Sequence, residues 1–146
     1  MIRKATLADL DQLVELERIG FTSDIFTRAQ FRHYLTRGQG VVLLDSVRGQ
    51  ARGMAVVMWR KGGRSCRLYD IVVRPGLRGR GLGGRLMDAA EAHARRQGCA
   101  RLVLESRRDN ATAIRFYAER GYRQFDVITD YYEDGTDALR YVKDLA

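Results

Sequence analysis

Arg78-Gly79-Arg80-Gly81-Leu82-Gly83-Gly84 is the stretch on which the fold turns. It follows an apolar run, Leu68-Tyr69-Asp70-Ile71-Val72-Val73, and precedes a segment in which Leu86, Ala90 and Ala94 fall on one helical face. Glycines let the backbone turn tightly and present successive N–H groups, and a helix N-terminus behind them adds partial positive charge. Arg78 and Arg80 contribute full charges suited to a pyrophosphate. Because strand, glycines, arginines and helix coincide, the stretch reads as a phosphate cradle rather than a plain glycine-rich turn.

Two familiar phosphate loops fit less well. Gly79, Gly81 and Gly84 spell the dinucleotide fingerprint G-x-G-x-x-G, and Glu105 stands where the ribose-binding acid would. That reading requires further parallel βαβ units after the first, whereas a strand meander precedes the loop and one helix is expected beyond the one that the loop opens. A nucleoside-triphosphate loop requires Lys-Ser or Lys-Thr after the glycines, and neither occurs.

Upstream of the loop, Val41 to Asp45, Ala51 to Trp59 and Cys66 to Val73 are apolar or alternating runs separated by turn-rich residues, which predicts a three-stranded antiparallel meander. Before it, Ile2 to Ala5 reads as a short strand. Thr6 with Asp9 and Thr27 with Gln30 resemble capping boxes, the first opening a helix to about Arg18 and the second a short helix through Phe31, Tyr34 and Leu35. The loop between them carries Phe21 and Phe26, both expected to be exposed. Downstream, a helix over Gly84 to Gln97 stops at Gly98, and Ala100 to Glu105 reads as a buried strand. Asp109 and Asn110 can cap a helix ending before Gly121, and strands near Tyr122 to Val127 and Ala138 to Val142 complete the chain. The expected class is α+β, a mixed sheet with helices on both faces, in one domain over residues 1–146.

Composition narrows the functions. With 45% hydrophobic residues and 9% aromatics, disorder is not expected. No run of about 18 apolar residues marks a transmembrane helix, and the first residues lack a signal peptide's apolar core; a cytoplasmic protein is expected. Cys66 and Cys99 lie far apart in no paired motif and read as small buried hydrophobes of a reducing compartment. His33 and His93 are isolated too, so no metal site is expected. The net charge of +8 asks for an anionic partner, and all but three of the 26 basic residues are arginine. They are spread along the chain without interleaved aromatics, so nucleic acid is not the expected partner, and a small polyanionic cofactor satisfies the charge as well as DNA does.

Two ordered motifs give the chain a family resemblance. Arg78, Gly81 and Gly83 match the pyrophosphate loop Gln/Arg-x-x-Gly-x-Gly/Ala of the GCN5-related N-acetyltransferase (GNAT) superfamily. Asn110, Ala113, Phe116, Tyr117, Gly121 and Tyr122 match its second signature, Asn-x-x-Ala-x-x-Phe/Leu-Tyr-x-x-x-Gly-Phe/Tyr. Within the superfamily the chain looks most like the ribosomal-protein-alanine N-acetyltransferases, through Leu104-Glu105 and the tail Tyr131-Tyr132-x-x-Gly135-x-Asp137-Ala138. The resemblance implies a mostly antiparallel sheet of about seven strands and about four helices, with one central βαβ cofactor unit.

It also implies chemistry: an amine takes acetyl directly from the thioester of acetyl-CoA and CoA leaves as a thiolate. Such a site needs a base, an oxyanion donor and an acid. The resemblance makes Glu105 the base and Tyr117 the acid. Cofactor contacts carry over to Ile71, Val72 and Val73 through backbone groups, to Arg78, Gly79, Arg80, Gly81, Leu82, Gly83 and Gly84 in the loop, and to Asn110, Ala113 and Tyr117. Read without the family, Glu105 is a strand-end carboxylate paired with Arg107 or Arg108, and Tyr117 a core aromatic. Asp130 to Asp137 is the one clearly acidic stretch and either attracts a cationic amine or forms an ordinary hairpin at Asp134-Gly135. Tyr131 and Tyr132 would line the acceptor's way in, with Phe21 and Phe26 opposite. The acceptor is a primary amine, either a protein N-terminus or a small molecule, and a non-catalytic acyl-CoA-binding module is the alternative to an enzyme. No membrane partner is expected.

Overall fold

A computed structural model describes residues 1–21 and 24–145. Seven strands form one sheet in the order β1-β2-β3-β4-β5-β7-β6: β1 (Ile2–Lys4), β2 (Gly40–Val47), β3 (Gln50–Trp59), β4 (Ser65–Val73), β5 (Arg101–Arg107), β6 (Arg123–Ile128) and β7 (Ala138–Asp144). All neighbours are antiparallel except β4 and β5. The four helices are α1 (Leu10–Gly20), α2 (Arg28–Thr36), α3 (Leu82–Arg96) and α4 (Ala111–Glu119). A 3-10 turn, Leu7–Asp9, leads into α1. The meander is β2-β3-β4, and α3 makes the crossover between the parallel pair.

The sheet separates two cores. On one face α3 and α4 cover Val57, Leu68, Leu86, Met87, Leu102, Leu104 and Tyr117. On the other, α1 and α2 cover Leu13, Leu16, Phe31, Val42, Met54, Val56 and Val72. Alternation along β2 and β3 feeds both, as two-sided burial of a central strand requires. The capping boxes form as read: Thr27 Oγ1 accepts the Gln30 N–H at 3.2 Å while Gln30 Oε1 accepts the Thr27 N–H at 2.7 Å.

Several boundaries and one covalent bond differ from the sequence reading. Helix α3 begins at Leu82, two residues early, because Gly81 adopts φ +77° and serves as its N-cap. A left-handed residue there ends the loop abruptly, so the two following glycines lie inside the first helical turn. Cys66 and Cys99 are not separate thiols; they form a disulfide, with Cα atoms 5.9 Å apart. The residues preceding β5 pass beside the start of β4, and parallel pairing of Ser65 with Arg101 brings Cys66 and Cys99, 33 apart in sequence, together. Among the described residues, no helix is long and apolar enough to cross a membrane.

Candidate active site

The parallel strands β4 and β5 pair over only four positions, from Ser65 with Arg101 to Leu68 with Leu104. Beyond that point β4 continues to Val73 bonded only to β3, and β5 continues to Arg107 bonded only to β7. The strands therefore part and leave a wedge, with the backbone of Ile71, Val72 and Val73 on one side and Glu105 on the other. An unpaired strand edge of this kind offers amide groups to an extended ligand.

The glycine loop closes one end of the wedge. Gly79 and Gly81 have φ +82° and +77°, and Arg78 and Arg80 are exposed. The helix opens with Arg85 N–H bonded to Gly81 O at 3.1 Å, and no side chain caps it. The amides of Leu82, Gly83 and Gly84 thus lack intrahelical acceptors. A Cβ on Gly79 would meet no atom within 4 Å, so the space above the loop is open. Exposed donors, a helix N-terminus and two guanidiniums around open space suit a diphosphate.

At the point of divergence sits Glu105, its side chain only 8% exposed. Arg67 Nη2 lies 2.6 Å from its Oε1, and Arg140 Nε lies 3.8 Å from its Oε2. The partners expected from proximity in sequence, Arg107 and Arg108, are engaged elsewhere. Arg107 binds Asp109 and Asp134, and Arg108 pairs with Asp137. Strand register explains the exchange, since Arg140 stands directly opposite Glu105 across the β5–β7 pair. Oε2 of Glu105 makes no hydrogen bond among the described residues.

Tyr117 occupies the last turns of α4, whose N-cap Asn110 accepts the Ala113 N–H through Oδ1 at 3.1 Å. The ring is buried against Phe116, Tyr122 and Tyr141, with centroids 5.4, 6.0 and 6.3 Å away. Burial above all raises its phenol above the ordinary value. The group stays protonated throughout the physiological range, as a proton donor must.

Comparison with known proteins decides the family: the model for GNAT acetyltransferases matches residues 8–122. The chain belongs to the acetyltransferase (GNAT) family. As a GNAT N-acetyltransferase it takes its acetyl group from acetyl-CoA. It is 29% identical over 146 residues to an uncharacterized N-acetyltransferase of Methanocaldococcus jannaschii, covering 98% of this chain and 90% of that one. It is 29% identical over 143 residues to a putative [ribosomal protein bS18]-alanine N-acetyltransferase of Bacillus subtilis, covering 94% and 91%. The crystal structure of the ribosomal-protein-S18-alanine N-acetyltransferase from Escherichia coli superposes with a TM-score of 0.88 at 22% identity, covering 100% and 94%. That likeness establishes the shared fold.

The residues expected to line the acceptor's way in are arranged only partly as the sequence of this GNAT chain suggested. Tyr131 and Tyr132 lie next to Glu105's surroundings: Arg67 Nη2 donates to Tyr131 Oη at 3.0 Å, and the two rings meet edge to face at 5.0 Å. Burial pushes the Tyr132 phenol up to about 12, with Tyr131 and Glu105 adding to it. Phe26 is not exposed. It is 2% accessible and packs on Phe31, Tyr34 and Tyr69, because α2 starts directly after it and folds it under the sheet. Phe21 is half-buried against the same core. Thr22 and Ser23 of that loop lie outside the described residues. Within the acidic stretch, Asp134 and Asp137 are held by Arg107 and Arg108 and do not stand as free anions. The hairpin turn at Gly135, φ +86°, is present.

Three site residues were not singled out from the sequence. Arg67 and Arg140 reach Glu105 only through strand register, which no local pattern reveals. Asp70 carried a signal: an acidic residue embedded in the apolar run from Leu68 to Val73 demands a buried partner.

Proposed function

We propose that this GNAT enzyme acetylates a primary amine, with a protein N-terminal amine as the acceptor class, through Glu105 as base and Tyr117 as acid. Acetyl-CoA supplies the activated acetyl group as a thioester. Arg78, Arg80 and the amides from Gly79 to Gly84 bind its diphosphate, and the open β4 edge from Ile71 to Val73 holds the arm that follows. Asn110 and Ala113 border that arm at the start of α4. Glu105 Oε2, the oxygen without a hydrogen bond, receives the proton shed by the acceptor ammonium, directly or through one water. Tyr117 Oη gives its proton to the departing sulfur. The ammonium nitrogen sheds two protons in all: one replaces the proton that Tyr117 gives to sulfur, and the other passes from Glu105 to solvent as the one proton released per turnover.

The observation that carries this reading is the parting of β4 and β5 at Leu68 and Leu104, with Glu105 at the fork. Likeness along nearly the whole chain to the Bacillus relative supports an N-terminal acceptor, and Tyr131 and Tyr132 suit a peptide backbone laid over them. The test is a screen of CoA release over N-terminal peptides, free amino acids and small amines. Peptides are expected to turn over at least about tenfold better in kcat/KM, a difference of roughly 1.4 kcal/mol in transition-state binding. Turnover confined to small amines would overturn the acceptor class and leave the transferase intact.

A further inference from the structure

Strand β4 carries a bulge. Val56 faces Asp70 and Val57 faces Leu68, so Tyr69 has no partner of its own on β3. One extra residue reverses the alternation. Leu68 belongs to the core under α3, whereas Asp70 lies opposite Val56 of the α1 core. There Asp70 lies beneath the last turns of α1, close enough to Glu17 for that carboxyl to act on its own. The close approach of the two elements shows at Gly20, where a Cβ would come 2.9 Å from Val72 Cγ1.

Both acids are buried, Glu17 at 1% and Asp70 at 8% exposure. Glu17 Oε2 accepts the backbone N–H of Phe26 at 2.7 Å. No donor among the described residues reaches Glu17 Oε1 or either oxygen of Asp70. Two ionised carboxylates in that position would repel at close range in a medium of low dielectric. A single proton removes the conflict, with Asp70 O–H donating to Glu17 Oε1. Burial raises the Asp70 carboxyl well above the ordinary carboxylate range, and the neighbouring Glu17 carboxyl adds to that shift.

The pair joins two parts of the site. On one side Glu17 holds Phe26, whose ring meets Tyr69 edge-on at 4.6 Å. On the other, Asp70 sits in β4 between Tyr69 and the cofactor edge at Ile71. The Arg67 guanidinium, which grips Glu105, lies 5.4 Å from the Tyr69 ring centroid. We propose that Glu17 and Asp70 share one proton and act as positioning residues, tying the acceptor-side chain at Phe26 to the cofactor strand at the β4 bulge. The inference rests on the acetyl transfer proposed above. It assigns the pair to acceptor presentation, not to acetyl-CoA binding or to the chemical step.

Asp70→Asn tests this directly, because its amide still donates to Glu17; Asp70→Ala removes the donor and leaves the Glu17 charge buried. In the alanine variant the acceptor KM is expected to rise about tenfold or more, as breaking a buried pair implies. Acetyl-CoA affinity by calorimetry should stay within about twofold, and the asparagine variant should restore the acceptor KM. Equal KM increases in both variants would overturn the shared proton, and a fall in melting temperature without a KM change would overturn the positioning role. Should the alanine variant not fold, Glu17→Gln, which still accepts from Phe26 and donates to Asp70, is expected to keep the wild-type KM, and its failure to do so overturns the proposal. Infrared spectra give a readout independent of turnover. A protonated-carboxyl carbonyl band at neutral pH, lost in Asp70→Asn, is expected even if no acceptor amine reacts, and its absence from the wild type would exclude the shared proton.

Discussion

Arg67 holds Glu105 across a gap between strands that no longer pair. Its Nη2 lies 2.6 Å from Glu105 Oε1 although the last β4–β5 pair is Leu68 with Leu104. The guanidinium also donates to Tyr131 Oη, so one side chain fixes the orientation of both the Glu105 carboxylate and the Tyr131 ring.

Removing that guanidinium should therefore damage catalysis more than cofactor binding. Hydrogen bonds to charged groups contribute about 1.5–3 kcal/mol, so Arg67→Ala is expected to lower kcat/KM for the acceptor by about 10- to 100-fold. Acetyl-CoA affinity should be nearly unchanged. Arg67→Lys, a point charge without the planar fork, should recover only part of the loss. Steady-state kinetics with the acceptor varied, alongside calorimetry with acetyl-CoA, separates the two effects.

The other end of the molecule offers a pH test of stability. Arg3 binds both oxygens of Asp9, at 2.8 and 2.9 Å, in front of α1. This hydrogen bonding, opposed by burial and aided by the Thr6 amide, pulls the Asp9 carboxyl down from 3.8 to about 2. A depressed folded value contributes stability above the unfolded value near pH 4, and that contribution disappears as pH falls toward 2. Its size is about 1–2 kcal/mol after allowance for the half-exposed Arg3. Denaturant melts from pH 6 to pH 2 should show Asp9→Asn less stable than wild type at the upper end. The difference should close by about pH 2.

The disulfide gives a third expectation. Cys66 and Cys99 close a loop of 33 positions and tie the start of β4 to the residues before β5, below the point where these strands part. Chain entropy gives such a bond about 3–4 kcal/mol, which corresponds to a fall in melting temperature on the order of 10 °C on reduction. Wild type with and without reductant should show it, and the double variant Cys66→Ala, Cys99→Ala should not respond to reductant. Equal melting temperatures for the wild type in both buffers would contradict it.

Local chemistry made much of the fold legible. The turn-separated runs around Ser46 to Gln50 and Lys61 to Arg64 define the meander, and the threonine boxes define two helix starts, because these features depend on neighbours in sequence. The glycine loop was readable because a cradle needs its glycines, arginines and helix within a few residues. What stayed hidden depends on register. Arg140 opposite Glu105, Arg67 beside it and Cys66 against Cys99 are all set by how distant strands align. The β4 bulge belongs to the same class: alternation alone would put Asp70 on the face of Leu68, and only pairing with β3 shows that it turns toward Glu17. Phe26 reads as exposed in the sequence because a loop aromatic carries no local sign of the helix that packs over it.

Turnover by Glu105→Gln and Tyr117→Phe beside wild type, with acetyl-CoA saturating and the best acceptor from the screen, tests the site most directly. Each variant is expected to keep its affinity for acetyl-CoA and to lose about 10²-fold or more in kcat, the contribution of one acid or base. Wild-type kcat in both variants would contradict the assignment of proton uptake to Glu105 and proton delivery to Tyr117.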